Sequence, residues 1–150
     1  MFVHATCVAL KQGGAWRALL LRGPSGAGKS DLALRLIEAG GRLVADDQTH
    51  LAQSRHAKSG KALVATAPKS LAGLIEVRGI GIVRLSRAQL LARAPLALLV
   101  DLVQPDRVER MPEPAREKVL DVELPVLALT PFEASAVMKL RLALARTAAA

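Results

Sequence analysis

The hydrophobic pattern alternates between two periods along this chain. "FVHATCVAL" and "WRALLLRG" are short apolar runs on either side of "KQGG", and they predict two strands joined by a turn. Lys29 to Ala39 predicts a helix, with Leu32, Leu34, Leu36 and Ile37 supplying its apolar faces, and Gly40-Gly41 ends the segment. "RLVADD" predicts a short buried strand that finishes in carboxylates. "HLAQ" and "ALVATA" predict a hairpin around Arg55–Lys61. "GLIEVRGIGIVRL" begins as a strand and breaks at Gly79 and Gly81. "LALLVDLV" has the composition of a central strand, and "VLDVELPVLAL" holds one or two more, interrupted by Pro125. "PFEASAVMKLRLALAR" predicts a closing helix, with Pro131 near its start and Arg141 and Arg146 near its end. Strands outnumber helices, yet the strand–loop–helix–strand unit at the front makes the expected class α/β.

Composition narrows the function classes. A length of 150 residues, 51% of them hydrophobic, suits one domain with a real core. No apolar run approaches the roughly 18 residues of a membrane-crossing helix. The first ten residues carry no basic region ahead of their apolar positions, so no signal peptide is expected. A single cysteine, Cys7, cannot form an internal disulfide and reads as a small buried hydrophobe; a cytoplasmic protein is expected. The net charge of +8 is spread along the chain and clusters only at "RHAKSGK". With two Phe, one Trp and no Tyr there is little material for stacking on bases, so nucleic acid is not the expected partner, and neither is a membrane. The charge reads as solvated surface with a bias toward acidic partners.

The chemistry concentrates between Gly23 and Asp47. Gly23-Pro24-Ser25-Gly26-Ala27-Gly28-Lys29-Ser30 matches G-x-x-x-x-G-K-[ST], with an apolar strand before it and an amphipathic helix after it. Glycines let backbone N–H groups converge on phosphate oxygens, and a helix N-terminus adds dipole and free donors. Lys29 then offsets the charge of the β- and γ-phosphates, and the Ser30 hydroxyl can join a Mg²⁺ shell. These residues predict a site for a nucleoside triphosphate. The sequence contains no Asn, so the N-K-x-D of guanine-specific GTPases is absent. No lid arginines of a small-molecule kinase stand out.

Asp46 and Asp47 follow the strand "RLVA", and alternation sends neighbouring side chains to opposite sides. One carboxylate can face the phosphates and take a hydroxyl proton during attack on the γ-phosphate, while the other supports it. A pair of turn caps is the structural alternative. Glu76, in "IEVRGIGIV", can complete a Mg²⁺ shell or form a salt bridge on a strand. Asp101, ending "LALLVD", can be a Mg²⁺ carboxylate or a strand-end surface residue.

Together, "GPSGAGKS", "RLVADD" and "IEVRGIGI" resemble the catalytic domain of bacterial HPr kinase/phosphorylase, over roughly Val3 to Thr130, with the interval from Lys29 to Asp47 looking identical to the family spacing. The resemblance implies a P-loop domain with a mixed central sheet flanked by helices, similar to phosphoenolpyruvate carboxykinase. It implies ATP-dependent phosphorylation of a seryl hydroxyl on HPr or a paralogous phosphocarrier, and in many members phosphorolysis of the product. Carried over by position, Lys29 and the loop bind ATP, Ser30 and Glu76 hold Mg²⁺, and Asp47, with Asp46 beside it, is the base for transfer and the acid for the reverse. His4 would orient Asp47 or phosphate, and Arg110, in "VERMPE", would stabilise transferring charge. The chain resembles the short alphaproteobacterial form that lacks an N-terminal domain, and a homo-oligomer, a hexamer in the family, is implied. "LTPFEASA" carries no Arg or Lys where long members are basic. A kinase of small metabolites and a non-catalytic ATP-binding module are the alternatives.

Overall fold

The computed structural model describes residues 1–56 and 60–148, so the tip of the hairpin expected at Arg55–Lys61 and the last two residues of "RTAAA" lie outside the described residues. In chain order the elements are β1 (Phe2–Val3), β2 (Ala5–Gln12), β3 (Ala15–Arg22), α1 (Lys29–Glu38), β4 (Arg42–Ala45), β5 (Thr49–His56), β6 (Gly60–Thr66), β7 (Leu74–Val77), β8 (Gly81–Arg84), β9 (Arg93–Leu102), β10 (Ala115–Val119), β11 (Val122–Leu129) and α2 (Ala136–Ala148). Nine strands form one mixed sheet in the order β1-β5-β6-β9-β3-β2-β4, with β11 joining β9 and β10 joining β11; β7 and β8 form a separate pair. β9 runs parallel to β3 and to β11, and the other pairings are antiparallel.

The order of strands forces the sheet to curl. β1 is at one end of the path and β2 is next to the other end, yet only His4 separates them in sequence. Two residues of chain span about 7 Å at most, so the ends of the sheet must approach each other. The link from β4 back to β5, Asp46-Asp47-Gln48, makes the same crossing. His4 and the aspartate pair therefore meet at one seam.

Alternation on β2 and β3 fills two cores. Val8, Leu10, Leu19 and Leu21 join Leu32, Ala33, Leu36 and Ile37 of α1 and Ala136, Leu140 and Leu144 of α2. Cys7, Ala9, Ala18 and Leu20 face the inside of the curl with Leu51, Leu63 and Ala65. Both helices thus cover the same face, and the curled sheet itself covers the other. The expectation of a sheet flanked by helices holds on one face only. Burial on both faces is why these strands read as continuous apolar runs.

Local chemistry sets the ends. Gly13 and Gly14, both at positive φ (59° and 81°), make the two-residue turn between β2 and β3. α1 ends with Gly40 N–H on the Ile37 carbonyl and Gly41 N–H on that of Leu36, with Gly40 at φ 102°, so the last carbonyls are satisfied. α2 begins at Ala136 rather than at Pro131, because Pro131–Ser135 is a turn and Ser135 supplies the first helical acceptor, to Lys139 N–H at 2.8 Å. "GLIEVRGIGIVRL" breaks at Gly79 as expected and folds as a hairpin, turning at Arg78-Gly79-Ile80 with Gly79 at φ 90°. Leu34, expected on an apolar face of α1, is on the exposed side, where it borders a cleft. No helix among the described residues is long and apolar enough to cross a membrane.

Candidate active site

β3 and β4 both run antiparallel to β2, so their carboxyl ends lie at the same edge of the sheet. One end feeds the glycine loop and the other feeds Asp46-Asp47. The loop enters α1 through Gly28, at φ 99°, a conformation that a side chain resists. A Cβ on Gly28 would also stand 2.8 Å from Phe132 Cζ and 3.2 Å from Pro131 Cγ, so the turn before α2 is seated on the loop. Lys29 is buried, and its ammonium donates to the carbonyls of Gly23 (2.7 Å) and Pro24 (3.1 Å), which holds it against its own loop.

Asp46 is buried and fully bonded. Its Oδ1 accepts from Thr6 Oγ1 at 3.0 Å and Ser30 Oγ at 2.7 Å, and its Oδ2 accepts from the Glu76 N–H at 2.9 Å. One carboxylate therefore joins β2, the start of α1, the end of β4 and β7. The Thr6 hydroxyl in turn accepts from the Asp47 N–H at 3.1 Å. Asp47 is exposed and sits at φ 64°, the left-handed region that Asp and Asn tolerate better than most side chains. Its Oδ1 is 3.4 Å from His4 Nε2. Side by side in sequence, the two aspartates thus divide their roles: one is a structural tie, the other is presented to solvent.

A cleft of about 420 Å³ runs over this edge, lined by Ser25, Gly26, Gly28, Lys29, Ser30, Asp47, Glu76 and Arg78 with Phe132 at its margin. It holds the glycine loop, the cations of Lys29 and Arg78, and the carboxylates of Asp31, Asp47 and Glu76. Such a set can bind a polyphosphate and remove a proton from an attacking hydroxyl.

The family model described as HPr Serine kinase C-terminal domain matches residues 1–142. This chain belongs to that family. Curated relatives include the HPr kinase/phosphorylase of Geobacillus thermodenitrificans, 35% identical over 74% of this chain and 37% of the relative, and that of Lactobacillus acidophilus, 37% identical over 69% of this chain and 31% of the relative. The chain spans about a third of the length of these proteins. The solved structure of the Hpr(Ser) kinase/phosphatase from Coxiella burnetii shares the fold, with a TM-score of 0.79 at 23% identity over 99% of this chain and 90% of that one.

In this member of the HPr serine kinase family the fold brings together most of the residues singled out in the sequence. The loop, Lys29, Ser30, Asp46, Asp47, His4 and Glu76 form one neighbourhood. Arg110 is not among the residues lining the cleft; it is exposed on the chain between β9 and β10. Asp101 is engaged elsewhere. Arg22 grips it through Nε at 2.7 Å and Nη2 at 3.1 Å, and holds Glu117 of β10 through Nη1 at 2.7 Å and Nη2 at 2.9 Å. The hydrogen bond to Glu117 raises the guanidinium pKa first, against burial, and Arg22 lowers that of Glu117. Asp101, near the end of β9, is thus ion-paired with Arg22, the residue just before the glycine loop. Sequence reasoning passed over Thr6, Arg78 and Phe132. Thr6 had a signal, since it is a hydroxyl inside the apolar run "ATCVAL".

Proposed function

We propose that this domain is an ATP-dependent serine kinase whose acceptor is HPr or a paralogous phosphocarrier, on a P-loop scaffold of the phosphoenolpyruvate-carboxykinase kind. The observation that carries the reading is Asp47: an exposed carboxylate, paired only with His4 among the described residues, at the cleft that the glycine loop, Lys29 and Ser30 line. In the transfer step the seryl oxygen forms a bond to the γ-phosphorus, the bond from that phosphorus to the β–γ bridging oxygen breaks, and ADP leaves with the electron pair. The hydroxyl proton goes to the Asp47 carboxylate. His4, 3.4 Å away, keeps that carboxylate oriented. Lys29 exchanges its carbonyl partners for phosphate oxygens, which are stronger acceptors for an ammonium.

The donor set also fits Mg²⁺. Ser30 Oγ and the Glu76 carboxylate are hard oxygen ligands at the cleft, and Mg²⁺ is commonly held by one or two carboxylates plus substrate phosphates. Among the described residues no group of three or more His, Cys, Asp or Glu stands close enough to cage a metal, which suits an ion that arrives with its nucleotide. When bound, the ion neutralises charge on the phosphates. In phosphorolysis an oxygen of inorganic phosphate bonds to the phosphoseryl phosphorus, the bond from that phosphorus to the seryl oxygen breaks, the Asp47 carboxyl gives its proton to that oxygen, and pyrophosphate leaves. Incubating the domain with Mg-ATP and each carrier, then locating phosphate by mass spectrometry, tests the assignment. Phosphoserine on a carrier is expected. Phosphate only on small metabolites, or ATP binding without transfer, would overturn it. A homo-oligomer belongs to the same reading and is tested by sedimentation.

A further inference from the structure

A second cleft, of about 980 Å³, lies on the other side of the phosphate loop. Ser25, Gly26 and Phe132 line both clefts, so the two meet at the loop. None of Asp47, Glu76 or Arg78 reaches the second one; Gln104, Pro105, Arg107 and Thr130 line it instead. Phe132 is 68% exposed and borders both clefts. Its loop is held on both sides. Arg35 donates to the Pro131 carbonyl, Lys139 Nζ stands 2.6 Å from Glu133 Oε2, and the ring edge lies against Gly28. An exposed ring on a fixed support is built to be covered by something flat.

We propose that this second cleft takes the purine nucleoside of the bound nucleotide, with the base stacked on Phe132. The inference rests on the nucleotide reading above. In phosphoryl transfer the attacking and leaving oxygens are roughly in line through phosphorus. Asp47 marks the acceptor side, so the nucleoside diphosphate departs on the side away from it, where the second cleft opens. The Gln104 amide and the Thr130 hydroxyl offer donors and acceptors to the edges of a base, and neither commits the site to a single charge. Stacking binds any purine, because every base has a π face.

Calorimetric titration with Mg-ATP and with Mg-tripolyphosphate separates the nucleoside from the phosphates. The unmodified domain is expected to prefer ATP. Phe132→Ala should cut the ratio of the two affinities by about 5- to 150-fold, and Phe132→Tyr should keep it. A ratio that survives Phe132→Ala, or equal affinity for the two ligands in the unmodified domain, overturns the nucleoside cleft. Equal affinities that both collapse in Lys29→Ala would leave the phosphate cradle standing while refuting this inference. Binding of neither ligand would refute both.

Discussion

Replacing Asp46 with asparagine keeps the shape of the side chain and removes one acceptor. In the native protein the carboxylate receives three donors: the Thr6 and Ser30 hydroxyls on Oδ1 and the Glu76 amide on Oδ2. An asparagine oxygen can serve the two hydroxyls, but its NH₂ then opposes the Glu76 N–H, a backbone donor that cannot turn away. One unpaired buried donor costs about 1–3 kcal/mol, and two bonds that lose charge assistance cost about 1 kcal/mol each. Relief from burying a charge offsets part of this. A flipped amide, with hydroxyls rotated to accept, defines the mild end. The net expectation is a loss of about 2–4 kcal/mol, or about 5–15 °C in Tm at this chain length. Urea unfolding reads it, with hydrogen exchange at the Glu76 amide reporting the broken bond. Asp47→Asn is the control: it is exposed, its pairing with His4 is solvated, and asparagine accepts φ 64°, so its stability should stay within about 1 kcal/mol. Native-like unfolding of Asp46→Asn together with marked destabilisation of Asp47→Asn would refute the division of roles between the two.

Lys29→Ala should weaken Mg-ATP binding by about 10- to 100-fold in calorimetry, because a charged donor to phosphate is lost; unchanged affinity would contradict the cradle. Gly28→Ala should abolish nucleotide binding and lower Tm, since φ 99° and a Cβ 2.8 Å from Phe132 both oppose it. Glu76→Gln should shift the Mg²⁺ dependence of activity to higher concentration with Tm nearly unchanged, because Asp46 uses only the backbone N–H of Glu76; a large Tm loss with normal Mg²⁺ dependence would make Glu76 structural. Burial pushes the Cys7 thiol up to about 12, so the folded state keeps a proton that the unfolded chain gives up at a lower pH. Its stabilising contribution is complete below the unfolded pKa and is lost as pH rises through the folded one. Stability of Cys7→Ala should therefore fall less steeply than that of the unmodified domain across this alkaline range.

Much of this architecture was legible because both core-lining faces of β2, β3 and β9 are apolar, and because glycines mark the ends of α1 and the turn between β2 and β3. β10 was not legible. It is an edge strand whose residues Ala115–Lys118 are exposed, so no apolar alternation announces it, and its turn to β11 uses Leu120 and Asp121 at positive φ (47° and 63°) in place of glycine. The start of α2 was set too early, because apolar spacing does not register that Pro131–Ser135 folds as a turn over the glycine loop. At the site, the loop and the aspartates could be read from spacing. Which aspartate is buried could not, because that depends on the curl that brings β2, α1 and β7 around Asp46. The curl also places His4 beside Asp47, across 43 positions of sequence that carry no local signal of contact.

The central claim is that Asp47 takes the acceptor's proton in a transfer from ATP to a seryl carrier. Measuring phosphoserine formation on HPr from Mg-ATP by the unmodified domain and by Asp47→Asn, with ATP affinity recorded for both, tests it most directly. The account predicts phosphoserine with the unmodified domain and a loss of at least about 10²-fold in rate with Asp47→Asn at preserved ATP affinity. Near-normal turnover by Asp47→Asn would contradict it.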